Sequence, residues 1–170
     1  MDKKLHEKAI ALVQRLESHY TEFEDESKLK LVYMTSLRLY SQIGDKAGGM
    51  QSFARMLALS DDQGRFELAW IAHSMYGQFL HEFEDLSDAV EQFYQSAQAL
   101  ESYRQAVPMD NFDRIAFFGD KVAHLNYFCR VAIENDDLHQ AWFFLESGKS
   151  KHLLDLLSAN ASFQDRITTR

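Results

Sequence analysis

Glu84-Asp85-Leu86-Ser87-Asp88-Ala89-Val90-Glu91-Gln92-Phe93 has two counterparts elsewhere in the chain. Forty residues upstream stands Gly44-Asp45-Lys46-Ala47-Gly48-Gly49-Met50-Gln51-Ser52-Phe53, and 52 downstream stands Asp136-Asp137-Leu138-His139-Gln140-Ala141-Trp142-Phe143-Phe144-Leu145. Each copy opens on a turn and then sets a small residue (Gly49, Ala89, Ala141). Four positions later comes a large apolar one (Phe53, Phe93, Leu145). Residues 4–13 fit more weakly, with Ala9 and Val13 in those places. Four positions are about one helical turn, so each pair lies on one stripe of a helix. The small residue lets a neighbouring helix approach and the large one fills the gap beside it. A helical unit repeating at a loose period predicts hairpins stacked in a row.

Apolar residues on either side keep a helical period. The first helix is expected over 2–20, with Leu5, Ala9, Leu12, Val13 and Leu16 on one stripe. Ser27 reads as the N-cap of a second helix that carries Leu29, Val32, Tyr33, Leu37, Tyr40 and Ile43 and closes at Gly44. A third helix spans 46–59 with Met50, Phe53, Ala54 and Leu57 inward. Asp61 or Asp62 then caps a fourth over 65–83 that buries Phe66, Trp70, Tyr76 and Leu80. A fifth covers 87–103, with Ala89, Val90, Phe93 and Leu100 inward. The sixth, 111–134, is apolar on nearly every side, which predicts a helix buried on several faces. The seventh runs over 137–158, with Trp142 on a core stripe, and 159–170 reads as a tail. Short connections imply antiparallel neighbours.

Composition excludes several alternatives. At 170 residues the chain suits one domain with a real core, and one Pro and seven Gly argue against a turn-rich sandwich. A single cysteine, Cys129, rules out an internal disulfide framework. No run approaches the length of a membrane span, and the N-terminal residues do not read as a secretory signal, so a reducing cytoplasm is expected. The net charge is −8, with 10 basic and 14 acidic side chains in residues 1–85 and 8 and 12 in 86–170. A nucleic-acid binder needs a basic stripe to neutralise phosphates, and none is apparent. Nucleic acid and membrane are therefore not expected partners.

The repeated small-then-large pattern, with Tyr40 in the aromatic place and Gly77 in the small place of their first helices, resembles the tetratricopeptide repeat. The proline that ends the family's repeats is absent and the first helices are long; a generic stack of α-hairpins shares the spacing. The segment from Asn135 to Leu157 resembles the last repeat before a CHAT domain, a caspase-like protease domain that follows such arrays mostly in bacteria. Glu146, Lys149, Lys151 and the run Leu153-Leu154-Asp155-Leu156-Leu157 match its junction helix. The protease itself is missing, so the resemblance implies the repeat module and not the activity. The expected fold is all-α: about seven antiparallel helices stacked as tetratricopeptide-like hairpins, a short right-handed α-solenoid over 1–158.

Chemistry-bearing groups are weak in this pattern. Gly148-Lys149-Ser150 ends like a phosphate loop, but Phe143 stands where the motif needs glycine and the segment reads as helix. Cys129 and His124, the one conceivable thiol dyad, are five residues apart on a helix and point in different directions. His81, Glu82, Glu84 and Asp85 lack metal-ligand spacing, with His73 eight residues from His81. Neither a metal nor a cofactor is expected, and no enzyme.

Docking surfaces read more clearly. In arrays of this kind the first helices of the pairs line a concave groove, and the alignment places Arg38, Gln78 and Arg130 at equivalent positions there. Met34, Ser74 and Asn126 lie one turn away, and Gln42 and Glu82 follow on. Such a groove suits a peptide with carboxylates; the rival reading pairs Arg38 and Arg130 with acidic neighbours. Lys149, Lys151, Leu153, Leu154, Leu156 and Leu157 mark a second surface, because four leucines in five positions cannot all face one side of a helix. It suits a protein partner or a second copy of the chain. The expected function is a non-enzymatic adaptor or sensing scaffold. The alternatives are a dedicated chaperone for a secreted protein and part of an enzyme with a site near Cys129.

Overall fold

A computed structural model describes residues 3–61, 65–106, 119 and 121–149, apart from the side chains of residues 3 and 61. Its helices are α1 (Lys3–Glu22), α2 (Glu26–Ile43), α3 (Lys46–Asp61), α4 (Phe66–Glu82), α5 (Leu86–Ala106), α6 (Val122–Glu134) and α7 (138–149), with no strand among the described residues. The all-α class and the hairpin pairing expected from the sequence are what the structure has. Residues 107–118 and 150–170, which take in the connection before the expected sixth helix, parts of the expected sixth and seventh helices and the tail, lie outside the described residues.

One turn geometry recurs four times. The backbone N–H groups of Asp25, Asp45, Asp85 and Asp137 donate to the carbonyls of Tyr20, Tyr40, Leu80 and Ala132, five residues back, at 2.9–3.0 Å. The preceding residue is left-handed in each case: Glu24 (φ 52°), Gly44 (φ 75°), Glu84 (φ 58°) and Asp136 (φ 55°). Such a residue ends a helix by letting its last carbonyls be satisfied. Each aspartate's own carbonyl then accepts the first bond of the following helix, from Leu29, Gly49, Ala89 and Ala141. One residue thus closes one helix and opens the next, which forces the chain to reverse. Carboxylates of Asp25, Asp45 and Asp137 also accept from the N–H of Lys28, Gly48 and Gln140. The cap of α2 is therefore Asp25 and not Ser27, whose hydroxyl donates to the Asp25 carboxylate at 2.8 Å. That bond and the Lys28 N–H hold the Asp25 carboxyl below the ordinary aspartate range. The N-cap of α4 is Arg65, with no side-chain bond; Asp61 ends α3 and Asp62 lies outside the described residues.

Two compact units divide the chain, Met1–Ala99 and Leu100–Arg170. In the first, contacts spread outward from each turn in antiparallel order. Tyr33 donates to Glu17 between α2 and α1, and Tyr40 meets Gly48 between α2 and α3. Between α3 and α4, Phe53 stacks on Tyr76 with centroids 4.2 Å apart, and Gly49 receives the ring of Phe79. Between α4 and α5, Ser96 donates to the Trp70 carbonyl, His73 bonds Gln92, and Gly77 receives Phe93. In the second unit Phe128 of α6 meets Phe144 of α7 edge-on at 5.6 Å, and Gly148 lies beside Leu125.

The wedge positions pack as expected in part. Gly49, Ala89 and Ala141 are all buried, but of the large partners only Phe93 is fully buried, while Phe53 and Leu145 are half-exposed. A second position buried in all three helices lies seven residues after the small one: Met56, Ser96 and Gly148. In α7 the plug is Phe144, one residue before the expected Leu145. Other expectations fail because a helix covered on one side buries only one face, and because Phe66 stands at the very start of α4. Leu5 and Leu12 of α1, Met50 and Ala54 of α3, Phe66 of α4 and Trp142 of α7 are all exposed.

Candidate protein-interaction surface

In the first unit α2 and α4 run side by side in the same direction, because they are tied at both ends. Glu26, at the start of α2, pairs with Arg65, at the start of α4. Ser41, near the end of α2, donates to Glu82, the last residue of α4. Two further links obey the same spacing: Arg55 to Glu17 at 2.5 Å and Lys46 to Asp85 at 2.5 Å. All four join residues 38 to 41 apart, the spacing of the sequence repeat. Surface pairs of this kind contribute about 0–1 kcal/mol each, so they record the register of the stack more than they hold it.

This tie brings Met34, Arg38 and Gln42 of α2 beside Gln78 and Glu82 of α4. Arg38 and Gln42 are exposed, Met34 and Gln78 half-exposed. Among the described residues Arg38 makes no hydrogen bond or ion pair. Ser74 departs from expectation: at 2% exposure it is part of the interior and offers a partner nothing. Sequence reasoning passed over Leu31 and Ile71, which stand 40 residues apart, three before Met34 and Ser74. Leu31 is exposed and Ile71 half-exposed, so the near end of the face is apolar and the far end is polar. The 40-residue offset applied to Leu31 would have found both.

The second unit holds Asn126 and Arg130, both exposed on α6. Arg130 is engaged, 3.7 Å from Glu134 and with its guanidinium 5.1 Å from the centre of the Tyr127 ring. Of the two arginines, only Arg130 has an acidic neighbour as partner among the described residues. Lys149 is exposed on α7, while Lys151, Leu153, Leu154, Leu156 and Leu157 lie outside the described residues. The face of α7 turned from α6 carries Leu138 and Trp142, 71% and 64% exposed.

Reactive groups are spread out. Cys129 is half-buried on α6. Burial, and then the charge of Lys121, hold His124 below the ordinary histidine range. Among the described residues no group of three His, Cys, Asp or Glu side chains is placed to hold a metal ion, and no helix is long and apolar enough to cross a membrane. Gly148 and Lys149 are helical, with Gly148 packed on Leu125. Comparison of the chain with protein-family models, with curated proteins and with solved structures finds no match in any of the three.

Proposed function

We propose that this chain is a non-enzymatic protein-interaction module, a tetratricopeptide-like adaptor or sensing scaffold, which receives a peptide on the face shared by α2 and α4. The observation that carries this reading is Arg38: an exposed guanidinium without a partner among the described residues of a protein of net charge −8. A carboxylate is the group that such a fork holds best, through charge-assisted bonds. Leu31 lies seven residues before Arg38, about 10 Å along the helix, and with Met34 and Ile71 it offers apolar contact. The fitting peptide carries an acidic residue and, at that distance, an apolar one. The resemblance to repeats that precede CHAT proteases supports a role as the sensing part of a bacterial, cytoplasmic protease-linked system.

Photo-crosslinking tests the reading. A benzophenone amino acid is placed at Met34, at Gln42 and, as a control on another helix, at the exposed Glu91. The same partner is expected from the first two positions and not from the third, with the crosslink lost on Arg38→Glu. Equal capture at Glu91, or capture indifferent to Arg38→Glu, would overturn it.

A further inference from the structure

Along α1 runs a second surface, independent of the α2/α4 face. In steps of three and four residues, Leu5, Lys8, Leu12, Arg15, His19 and Phe23 fall on one side of the helix and just past its end. All six are exposed, the apolar ones strongly: Leu5 60%, Leu12 54% and Phe23 66%. The opposite side is engaged, with Val13 buried and Glu17 holding both Arg55 and the Tyr33 hydroxyl. At 1.5 Å per residue the stripe is about 27 Å long. None of the six is a carboxylate, and Glu22 borders the stripe only in the last turn. Among the described residues Lys8 and Arg15 make no ion pair or hydrogen bond.

Two features identify an occupant. Leucines seven residues apart, with a cation between and a cation after them, form the narrow seam that one crossing helix fills, since side chains three and four apart share a helix face. Cations without a partner among the described residues call for acid on the other side. We propose that α1 docks an acidic amphipathic helix of another protein, with its apolar residues over Leu5, Leu12 and Phe23 and its carboxylates at Lys8 and Arg15. An anionic bilayer is the poorer fit. A chain of net charge −8 is repelled by it, and two cations per helix face are few for surface binding.

The test uses the full chain and two synthetic amphipathic helices of about 20 residues, one with glutamates flanking a leucine seam and its twin with lysines there. Binding is read by fluorescence anisotropy. The acidic helix is expected to bind about tenfold more tightly than the basic one, and less so as salt rises. Lys8→Glu with Arg15→Glu reverses the preference, Lys8→Gln with Arg15→Gln abolishes it, and Arg38→Glu leaves it unchanged, which separates this surface from the α2/α4 face. Circular dichroism confirms that each variant keeps its helix content. Equal binding of the twins, or a preference untouched by the Lys8 and Arg15 variants, would overturn the proposal. So would binding to phosphatidylserine vesicles in place of the acidic helix.

Discussion

Gly77 on α4 and Phe93 on α5 form a junction whose geometry sets the cost of a single methyl group. A Cβ at residue 77 would stand 2.5 and 2.6 Å from two carbons of the Phe93 ring and 3.1 Å from a third. Carbon atoms prefer roughly 3.5–4.0 Å, so the ring must move by about 1 Å. It has no free direction, because Phe93 is 0% exposed and Ala89, one turn away on the same helix, is equally buried. In an open helix Gly→Ala gains about 1 kcal/mol. Here overpacking costs about 1–3 kcal/mol and reverses the sign, so Gly77→Ala should destabilise the first unit. Phe93→Leu removes ring atoms and is also destabilising, but it makes room for the methyl. The double variant should therefore be more stable than the two single losses added together, by about 1 kcal/mol or more. Urea unfolding followed by Trp70 fluorescence, in a Trp142→Phe background, reads this unit selectively, since Trp70 is buried on α4 and Trp142 is exposed on α7. Midpoints shift at constant slope if only stability changes. A Gly77→Ala chain that is more stable than the parent, or strict additivity in the cycle, would refute the reasoning.

Three further outcomes are expected. Phe144→Ala removes a fully buried ring that meets Phe128 edge-on, and should cost about 3–5 kcal/mol in the second unit, read by loss of hydrogen-exchange protection across α6 and α7. His124 is held below the ordinary histidine value of about 6.5 by burial and then by Lys121. Between that lowered value and the ordinary one the unfolded chain binds more protons, so the neutral ring's contribution is whole above the ordinary value and fades as pH falls through the lowered one; an NMR titration midpoint at or above the ordinary value would contradict this. Finally, Leu138 and Trp142 form the exposed face of α7. If they join copies of the chain, Leu138→Asp with Trp142→Asp should lower the mass seen by light scattering while helix content holds; an unchanged oligomer would dismiss that face.

The turns were the most legible part of the structure. Gly44-Asp45, Glu84-Asp85 and Asp136-Asp137 are visible in the sequence, and each becomes the same left-handed stop and aspartate start. Glu24-Asp25 belongs with them but was hidden in an acidic stretch, where Ser27 looked the better cap. A cap is a local matter of a few bonds within one turn, so residue types nearly suffice to place it. Exposure was harder to read, because amphipathic spacing says which residues share a stripe and not how many neighbours the helix will have. Leu5 and Leu12 share the period of Val13, yet α1 covers only the side that holds Val13. Val90, Met50 and Trp142 occupy equivalent places, and only Val90 is buried. Arg38 and Arg130 looked alike in alignment; the nearby Glu134 and the Tyr127 ring distinguish them.

Helical class, the turn positions and the repeat of about 40 residues are thus written along the chain, since each depends on side chains within a few residues of one another. The parallel seating of α2 on α4, the lack of a partner for Arg38 among the described residues, the loss of Ser74 to the interior and the exposed seam of α1 come from contacts between helices 16 to 41 residues apart. Which face of a helix is covered depends on the helices packed against it, and no residue carries that information alone.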